Sequence, residues 1–209
     1  MIKDNTMLFG LVDADMLANG TRHPNLALLK IAGYLRDNKQ KYELICDADA
    51  DISKYDYIYL SRVFTFTPLP NFYLEYRKTL KDGESDKFRC GGTGFYATEE
   101  NNERFMEERL RDFHRLDNDP LLPGLDMRTQ MPDYDLYKDF VEKQISKGRS
   151  RVYYKDYLDY SIGFLTRGCF RHCPFCVNRL ENRVFPHSEL SDFVDNSKPY
   201  IYLWDDNFL

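Results

Sequence analysis

The sequence has few cysteines, no long hydrophobic run and no excess of positive charge, and each of these absences removes a class of function. Only five of its 209 residues are cysteine, far below the share found in disulfide-stapled secreted domains. The net charge of -5 provides no basic footprint for nucleic acid. The apolar stretches are short and interrupted by charges, which predicts that no segment spans a membrane. The N-terminal "MIKDNTMLFGLVDADM" does not resemble a signal peptide, so we expect a cytoplasmic location.

That location changes the interpretation of the cysteines. In a reducing compartment, five thiols indicate metal ligands or catalysis more than disulfide bonds. Cys46 and Cys90 stand alone in strand-like runs. Each is therefore expected to be a small buried apolar residue.

The first 116 residues alternate between strand and helix patterns, and the hydrophobic content of 43% is enough for a core. Strand-like runs cover residues 6–12, 42–46, 55–64 and 87–92, and helical periodicity covers residues 25–38, 71–80 and 99–116. Strands separated by crossover helices predict a parallel sheet with both faces covered. The predicted fold class is therefore α/β, with a Rossmann-like domain over residues 1–116.

The pattern weakens after this domain and then resumes. Residues 117–160 hold three of the nine prolines and are predicted to be a linker. An apolar strand over residues 161–166 then leads directly into "TRGCFRHCPFC". A short helix over residues 188–195 and a strand over residues 200–208 are predicted to follow.

Three cysteines in this loop are close enough in sequence to bind a single inorganic centre. Cys169, Cys173 and Cys176 provide three thiolates, whereas a closed structural zinc site needs four ligands. His172 is a candidate fourth ligand, but it lies between two cysteines and would have to fold back over its own loop. A 4Fe-4S cluster held by three thiolates instead leaves one iron open to a non-protein ligand.

The pattern CxxxCxxC, with Phe175 before the last cysteine and an apolar strand before the first, resembles the signature loop of the radical S-adenosylmethionine superfamily. The resemblance implies that residues 161–209 form the first strands of a partial (β/α)6 barrel. It also implies a 4Fe-4S cluster on Cys169, Cys173 and Cys176 that binds S-adenosylmethionine and cleaves it reductively to a 5'-deoxyadenosyl radical. Phe175 would lie near the adenine. Such an enzyme takes its electron from a donor such as flavodoxin or ferredoxin and modifies a substrate that the motif does not identify.

The motif "WDDNF" follows the second predicted strand of this unit. In the family resembled, a short polar motif at this place contacts the amino group of S-adenosylmethionine, which implies that role for Asp205, Asp206 and Asn207. Carboxylates suit an ammonium partner. The commoner family motif is Gly-Gly-Glu, so individual roles do not carry over residue by residue. The alternative is a solvated turn after a strand.

A Rossmann-like domain ahead of such a barrel resembles the cobalamin-binding class of the superfamily, and cobalamin is therefore a candidate second cofactor. Gly91, Gly92 and Gly94 in "CGGTGFY" would let a ligand approach the backbone closely. Without a ligand, the same glycines would form a tight strand-to-helix turn. The class often carries DxHxxG with a histidine on cobalt, and no histidine here completes that motif. We therefore expect cobalamin, if it binds, to have no histidine of this chain on cobalt.

Two alternatives to the enzyme remain open at this point. One is a non-catalytic zinc module on the three cysteines and His172, and the other is an electron-transfer iron-sulfur protein. A six-unit barrel also needs about 190 residues, at roughly 30 per strand-helix unit, and residues 161–209 provide two strands and one helix. We therefore expect further chain or a second polypeptide to complete the barrel, and an exposed apolar edge near residues 200–204.

Overall fold

Four parallel strands form the central sheet of the protein. The structure is a computed structural model that describes residues 7–81, 84–95, 119–171, 173 and 183–206. The strands are β1 (Leu8–Asp13), β2 (Lys41–Leu44), β3 (Tyr57–Ser61) and β4 (Phe88–Gly91). Their order is β2-β1-β3-β4 and every pair is parallel. The predicted Rossmann-like α/β sheet is confirmed.

Both faces of this sheet are covered because successive strand residues point to opposite sides. Leu11 of β1 packs with Tyr59 in one apolar cluster, and its neighbour Val12 packs with Leu60 in another. The helix over residues 26–37 contributes Leu28 to the first cluster, and the helix over residues 71–79 contributes Phe72 to the second. A strand buried on both faces has the continuous apolar pattern seen in "LFGLV".

Three helices accompany these strands: α1 (Ala14–Asn19), α2 (Leu26–Asp37) and α3 (Asn71–Thr79). Helices α2 and α3 lie where their periodicity predicted them. Helix α1 is too short to show periodicity, and it begins because the carboxylate of Asp13 accepts the Met16 N–H. The predicted helix over residues 99–116 lies outside the described residues. None of the helices in the described part of the chain is long and apolar enough to cross a membrane.

The described part of the predicted linker, residues 119–159, packs against the first domain. It contains helices α4 (Lys138–Ser146) and α5 (Lys155–Leu158). Leu122 and Leu125 join the cluster under α2, and Tyr137 and Tyr157 form another cluster with Leu29. The sequence of this segment lacks the periodicity of an amphipathic helix or strand, because its buried side chains come from turns and short helices.

A buried hydrogen bond joins this segment to the end of β1. Asp13 is 2% exposed. Its Oδ2 accepts the Tyr137 hydroxyl at 2.8 Å, and its Oδ1 accepts Met16 N–H at 3.1 Å. The Tyr137 hydroxyl also accepts the Asn25 N–H at 3.2 Å. Burial raises the pKa of Asp13 from 3.8 to about 6, because desolvation disfavours the charged carboxylate more than these donors favour it.

Two small sheets follow this segment. β5 (Tyr160–Gly163) pairs in parallel with β8 (Tyr200–Leu203), and β6 (Thr166–Arg167) pairs antiparallel with β7 (Phe185–Pro186). The predicted helix over residues 188–195 is a 3-10 turn at Leu190–Asp192. The Tyr134 hydroxyl accepts Ile162 N–H at 2.8 Å and donates to Phe193 O at 2.7 Å, which ties β5 to the preceding segment.

The outer side of β8 is exposed and apolar. Among the described residues β8 pairs only with β5. Tyr200 is 56% exposed and Ile201 is 46% exposed. The predicted apolar edge is therefore present, whereas the (β/α)6 barrel stays a prediction.

Replacing Asp13 with Asn tests the buried carboxyl. Because the folded pKa of about 6 lies above the ordinary 3.8, the folded protein retains a proton that the unfolded chain releases between these pH values. The free energy of unfolding of the unmodified protein should therefore fall as pH rises through this window. The side chain introduced in the Asp13→Asn variant has no proton to release, so this variant does not lose stability in the window. The free energy of unfolding of the variant, relative to that of the unmodified protein, should therefore rise by up to about 3 kcal/mol between pH 4 and pH 6.

Urea denaturation at a series of pH values measures this difference. Asp47→Asn, at an exposed carboxyl, is the control and should not reproduce the rise. A difference for Asp13→Asn that stays constant from pH 4 to pH 8 would contradict the prediction.

Candidate functional site

The cysteine loop and the "WDDNF" motif begin at the same edge of one sheet. β5 and β8 are parallel neighbours whose last paired residues are Gly163 and Leu203. The Trp204 N–H extends the ladder to Gly163 O at 3.0 Å. The residues that follow both strands therefore emerge together at the carboxyl edge, where parallel sheets commonly bind ligands.

The loop is closed at its base by its own two-strand ladder. Thr166 pairs with Pro186 and Arg167 pairs with Phe185. His187 N–H also donates to Leu165 O at 2.8 Å. The ladder thus joins the segment just before Cys169 to the segment that begins at Phe185.

Gly168, immediately before the first cysteine, has a backbone conformation that favours glycine. Its φ is +85°, and a methyl group at this position would overlap the carbonyl oxygen of Arg183. The beginning and the end of the loop approach each other here without a side chain between them. The glycine of "TRGC" therefore sets the direction in which the chain enters Cys169.

Asp205 holds the beginning of this loop. Its carboxylate accepts Leu165 N–H at 3.2 Å, the Thr166 N–H, and the Thr166 hydroxyl at 2.5 Å. Both carboxylate oxygens are used in these bonds. Asp206, the next residue, is exposed. Asn207 and Phe175 lie outside the described residues.

Two of the three predicted cluster ligands are described. Cys169 and Cys173 are both half-buried. Cys169 Sγ accepts the Arg171 N–H at 3.3 Å, and Cys173 N–H donates to Arg171 O at 3.0 Å. Cys176 lies outside the described residues, and those that are described contain no group of three metal-ligating side chains. The three-thiolate site stays a prediction.

Arg167 and His187 border the base of the loop, and the motif alone did not indicate them. The Arg167 guanidinium lies 4.3 Å from the centre of the Phe164 ring, and the His187 ring meets the same ring edge-on at 6.2 Å. Burial, followed by the nearby charge of Arg167, lowers the pKa of His187 to about 4. His187 is therefore neutral at physiological pH, and Arg167 carries positive charge beside the loop.

The predicted ligand-contact glycines differ in their surroundings. A methyl group at Gly92, where φ is +98°, would overlap the carbonyl oxygen of Arg62. One at Gly94 would lie 2.8 Å from Phe64 O, and Gly94 N–H already donates to Arg62 O at 2.9 Å. These two glycines therefore pack a turn against the loop after β3. Among the described residues, none has an atom within 4 Å of a methyl group placed at Gly91.

A buried carboxylate also holds the loop after β3, and the sequence analysis missed it. Asp15 accepts Val63 N–H at 2.6 Å, Phe64 N–H at 3.3 Å and the Thr67 hydroxyl. The loop presents Phe64 and Phe66, which stack 5.3 Å apart and are 47% and 75% exposed. It follows β3 at the position where the strand order reverses, which is the usual ligand edge of such a sheet.

The prediction that Cys46 and Cys90 are buried is wrong, because both are exposed. Cys46 follows β2, and Cys90 lies in β4. These are the two outer strands of the sheet as described, so each has a neighbouring strand on one side only. A strand-like pattern does not distinguish an outer strand from a central one.

No protein-family model, curated protein or solved structure matches this chain. The family resemblance of the cysteine motif therefore stays a prediction. Any function has to be inferred from the chemistry and the placement of the chain's own side chains.

Gly168→Ala should destabilise the protein more than the same change at a matched glycine. Gly148 has a similar φ of +89° but open space around it. Gly148→Ala should therefore lower the free energy of unfolding only by the cost of placing alanine in the left-handed conformation, about 1–2 kcal/mol. Gly168→Ala adds the overlap with Arg183 O, and we expect it to cost roughly 1–3 kcal/mol more. Urea denaturation measures both free energies of unfolding, and equal losses would contradict the close approach.

Proposed function

We propose that this chain belongs to a radical S-adenosylmethionine enzyme and holds a 4Fe-4S cluster on Cys169, Cys173 and Cys176. One observation carries the proposal: the cysteine loop and the Asp205 motif follow adjacent parallel strands and meet at their carboxyl edge. A motif of the right spacing thus lies where a parallel sheet binds ligands.

The described residues fit such a cluster. Cys169 and Cys173 are half-buried, so their thiols are accessible without being fully solvated. The Arg171 N–H donates to Cys169 Sγ at 3.3 Å, and the Arg167 guanidinium lies near the same loop. When bound, the cluster supplies the electron for reductive cleavage of S-adenosylmethionine to methionine and a 5'-deoxyadenosyl radical.

The two carboxylates of the motif have different tasks in this proposal. Asp205 uses both of its oxygens on Leu165 and Thr166, so we assign it to positioning the loop. Asp206 is exposed beside it, and we assign it to the ammonium group of S-adenosylmethionine. Phe175 near the adenine and Asn207 beside Asp206 remain part of the proposal from the family resemblance.

The Rossmann-like sheet has a separate ligand edge that suits cobalamin. Gly91 leaves open space at the end of β4, and Phe64 and Phe66 present exposed rings from the loop after β3. A large ligand with apolar faces would cover these rings. We propose that cobalamin binds at this edge without a histidine of this chain on cobalt.

Three partners complete the proposed enzyme. The first is an electron donor such as flavodoxin or ferredoxin, and the second is a substrate whose identity the site does not reveal. The third is a second polypeptide that would complete a (β/α)6 barrel. Its next strands would add beside β8, where Tyr200 and Ile201 are exposed.

Anaerobic reconstitution with iron and sulfide tests the cluster assignment. Cys169→Ala, Cys173→Ala and Cys176→Ala should each abolish the brown chromophore, because each removes one of only three thiolate ligands. Cys46→Ala and Cys90→Ala, at the exposed thiols outside the motif, are controls and should retain it. Stoichiometric zinc without sulfide in anaerobically purified protein would refute the proposal.

A second measurement on the reconstituted protein, with a reductant and its partners present, is the formation of 5'-deoxyadenosine. An enzyme should form it, whereas an electron-transfer protein should hold the cluster and form none. A stable cluster with no cleavage of S-adenosylmethionine would therefore contradict the enzymatic proposal.

Substitutions of the two aspartates should separate their tasks. Asp205→Ala removes the acceptor for two backbone N–H groups and one hydroxyl. It should lower cluster loading and the free energy of unfolding, the latter by about 1–3 kcal/mol. Asp206→Ala should leave cluster loading unchanged and weaken binding of S-adenosylmethionine, as measured by isothermal titration. Equal effects of the two substitutions on both quantities would contradict the assignment.

A further inference from the structure

A cleft separate from the cysteine loop lies between the first domain and the β5–β8 pair. Its volume is about 740 Å³. Three parts of the chain line it: the loop between α1 and α2, the segment around α5, and the two strands. The residues that line it include Arg22, His23, Tyr153, Lys155, Tyr160 and Tyr202. Tyr160 begins β5, whereas the cysteine loop follows the other end of that strand.

A histidine in this cleft is held by a buried carboxylate. His23 Nδ1 lies 2.6 Å from Asp156 Oδ2, and the His23 side chain is 41% exposed while that of Asp156 is 9% exposed. The distance between Nδ1 and the Asp156 carboxylate is that of an ion pair, but the arrangement does not have the geometry of a hydrogen bond. Because Nδ1 faces Asp156, the other ring nitrogen is the one available to a ligand.

The walls near His23 are preformed. The Tyr157 hydroxyl donates to Thr21 O at 3.1 Å, which fixes the loop that carries Arg22 and His23. The His23 ring also meets the rings of Tyr202 and Trp204 edge-on, at 5.5 and 5.7 Å. A ligand would therefore enter a site whose histidine is already oriented.

The cleft holds two exposed cations, Arg22 and Lys155, and one buried carboxylate, Asp156, in a protein of net charge -5. Arg22 lies over the Tyr153 ring at 5.7 Å, and Lys155 lies over the Tyr160 ring at 5.8 Å. Within the described part of the chain, neither cation has an ion-pair partner. Both are exposed, so their charges are available to an anion.

The remaining walls are flat and aromatic. Tyr153 and Tyr202 are both exposed, and Tyr202 lies 5.8 Å from Tyr160 between ring centres. Tyrosine rings of this kind favour stacking or edge contacts with a planar ligand. The cations lie beside these rings, so the cleft offers charged and aromatic contacts next to each other.

We propose that this cleft binds a small molecule that joins a planar ring to an anionic group. Arg22, Lys155 and His23 would bind the anion, and the tyrosine rings would contact the planar part. A nucleoside monophosphate has this chemistry. The proposal does not depend on the cluster or on S-adenosylmethionine.

The only tryptophan of the sequence, Trp204, reports on the cleft because its ring lies 5.7 Å from that of His23. We would titrate the protein, without reconstituted cluster, with AMP, adenosine and inorganic phosphate, and follow tryptophan fluorescence. AMP should give a saturable change, with affinity at least about tenfold above that of either fragment, since only AMP engages both walls. Equal affinity for AMP and either fragment, or no saturable change, would overturn the proposal.

Variants locate the binding site. Arg22→Gln and Lys155→Gln should each weaken AMP binding by about tenfold, through loss of a charge-assisted contact. Arg151→Gln is the matched control, because Arg151 lies nearby but is already paired with Asp159 at 2.8 Å, and it should not change the affinity. A loss as large in Arg151→Gln as in Arg22→Gln would overturn the assignment.

Phe175→Ala distinguishes this cleft from an adenine site at the cysteine loop, because the family resemblance places the adenine near Phe175. It should leave AMP binding unchanged. Loss of AMP binding in this variant would assign the signal to the cysteine loop and overturn the inference, whatever the outcome for the proposed function.

Discussion

The hydrogen bond between the Asp13 carboxyl group and the Tyr137 hydroxyl is the contact on which the arrangement of the two halves depends. It joins the end of β1 to a segment 124 positions later in the chain, at 2.8 Å and out of contact with water. Three residues before Tyr137, the Tyr134 hydroxyl bonds to Ile162 and Phe193. The short segment between these tyrosines therefore connects the Rossmann-like sheet to β5. Breaking a buried hydrogen bond of this kind costs more free energy than the bond's net contribution to stability, because each partner would remain desolvated.

The same chemical device recurs after three of the parallel strands, β1, β3 and β5. Asp13 begins α1, Asp15 holds the loop after β3, and Asp205 holds the beginning of the cysteine loop. Each carboxyl group accepts at least one backbone N–H that no strand or helix satisfies. These three aspartates therefore position the chain where it leaves a strand.

The protein carries candidate ligand sites of three different characters. The cysteine loop has soft sulfur ligands at the carboxyl edge of β5 and β8, which suits an iron-sulfur cluster. The edge of the larger sheet presents the exposed Phe64 and Phe66 and suits a large apolar-faced ligand. The cleft at His23 combines exposed cations with tyrosine rings and suits a planar anion. Their separation along the fold is consistent with a protein that brings more than one small molecule together.

Periodicity in the sequence predicts the four strands of the first domain and its helices α2 and α3, and the sequence also shows the spacing of Cys169, Cys173 and Cys176. Both are local properties, since periodicity and ligand spacing are contained within a few neighbouring residues. Only the tertiary structure decided that residues 119–159 pack as core, that Asp205 holds Thr166, and that His23 faces Asp156. These contacts join residues far apart in the chain and leave no periodic trace in it. The exposure of Cys46 and Cys90 was likewise decided by which strands lie outermost in the described sheet, and that order is a property of the fold and not of any single strand.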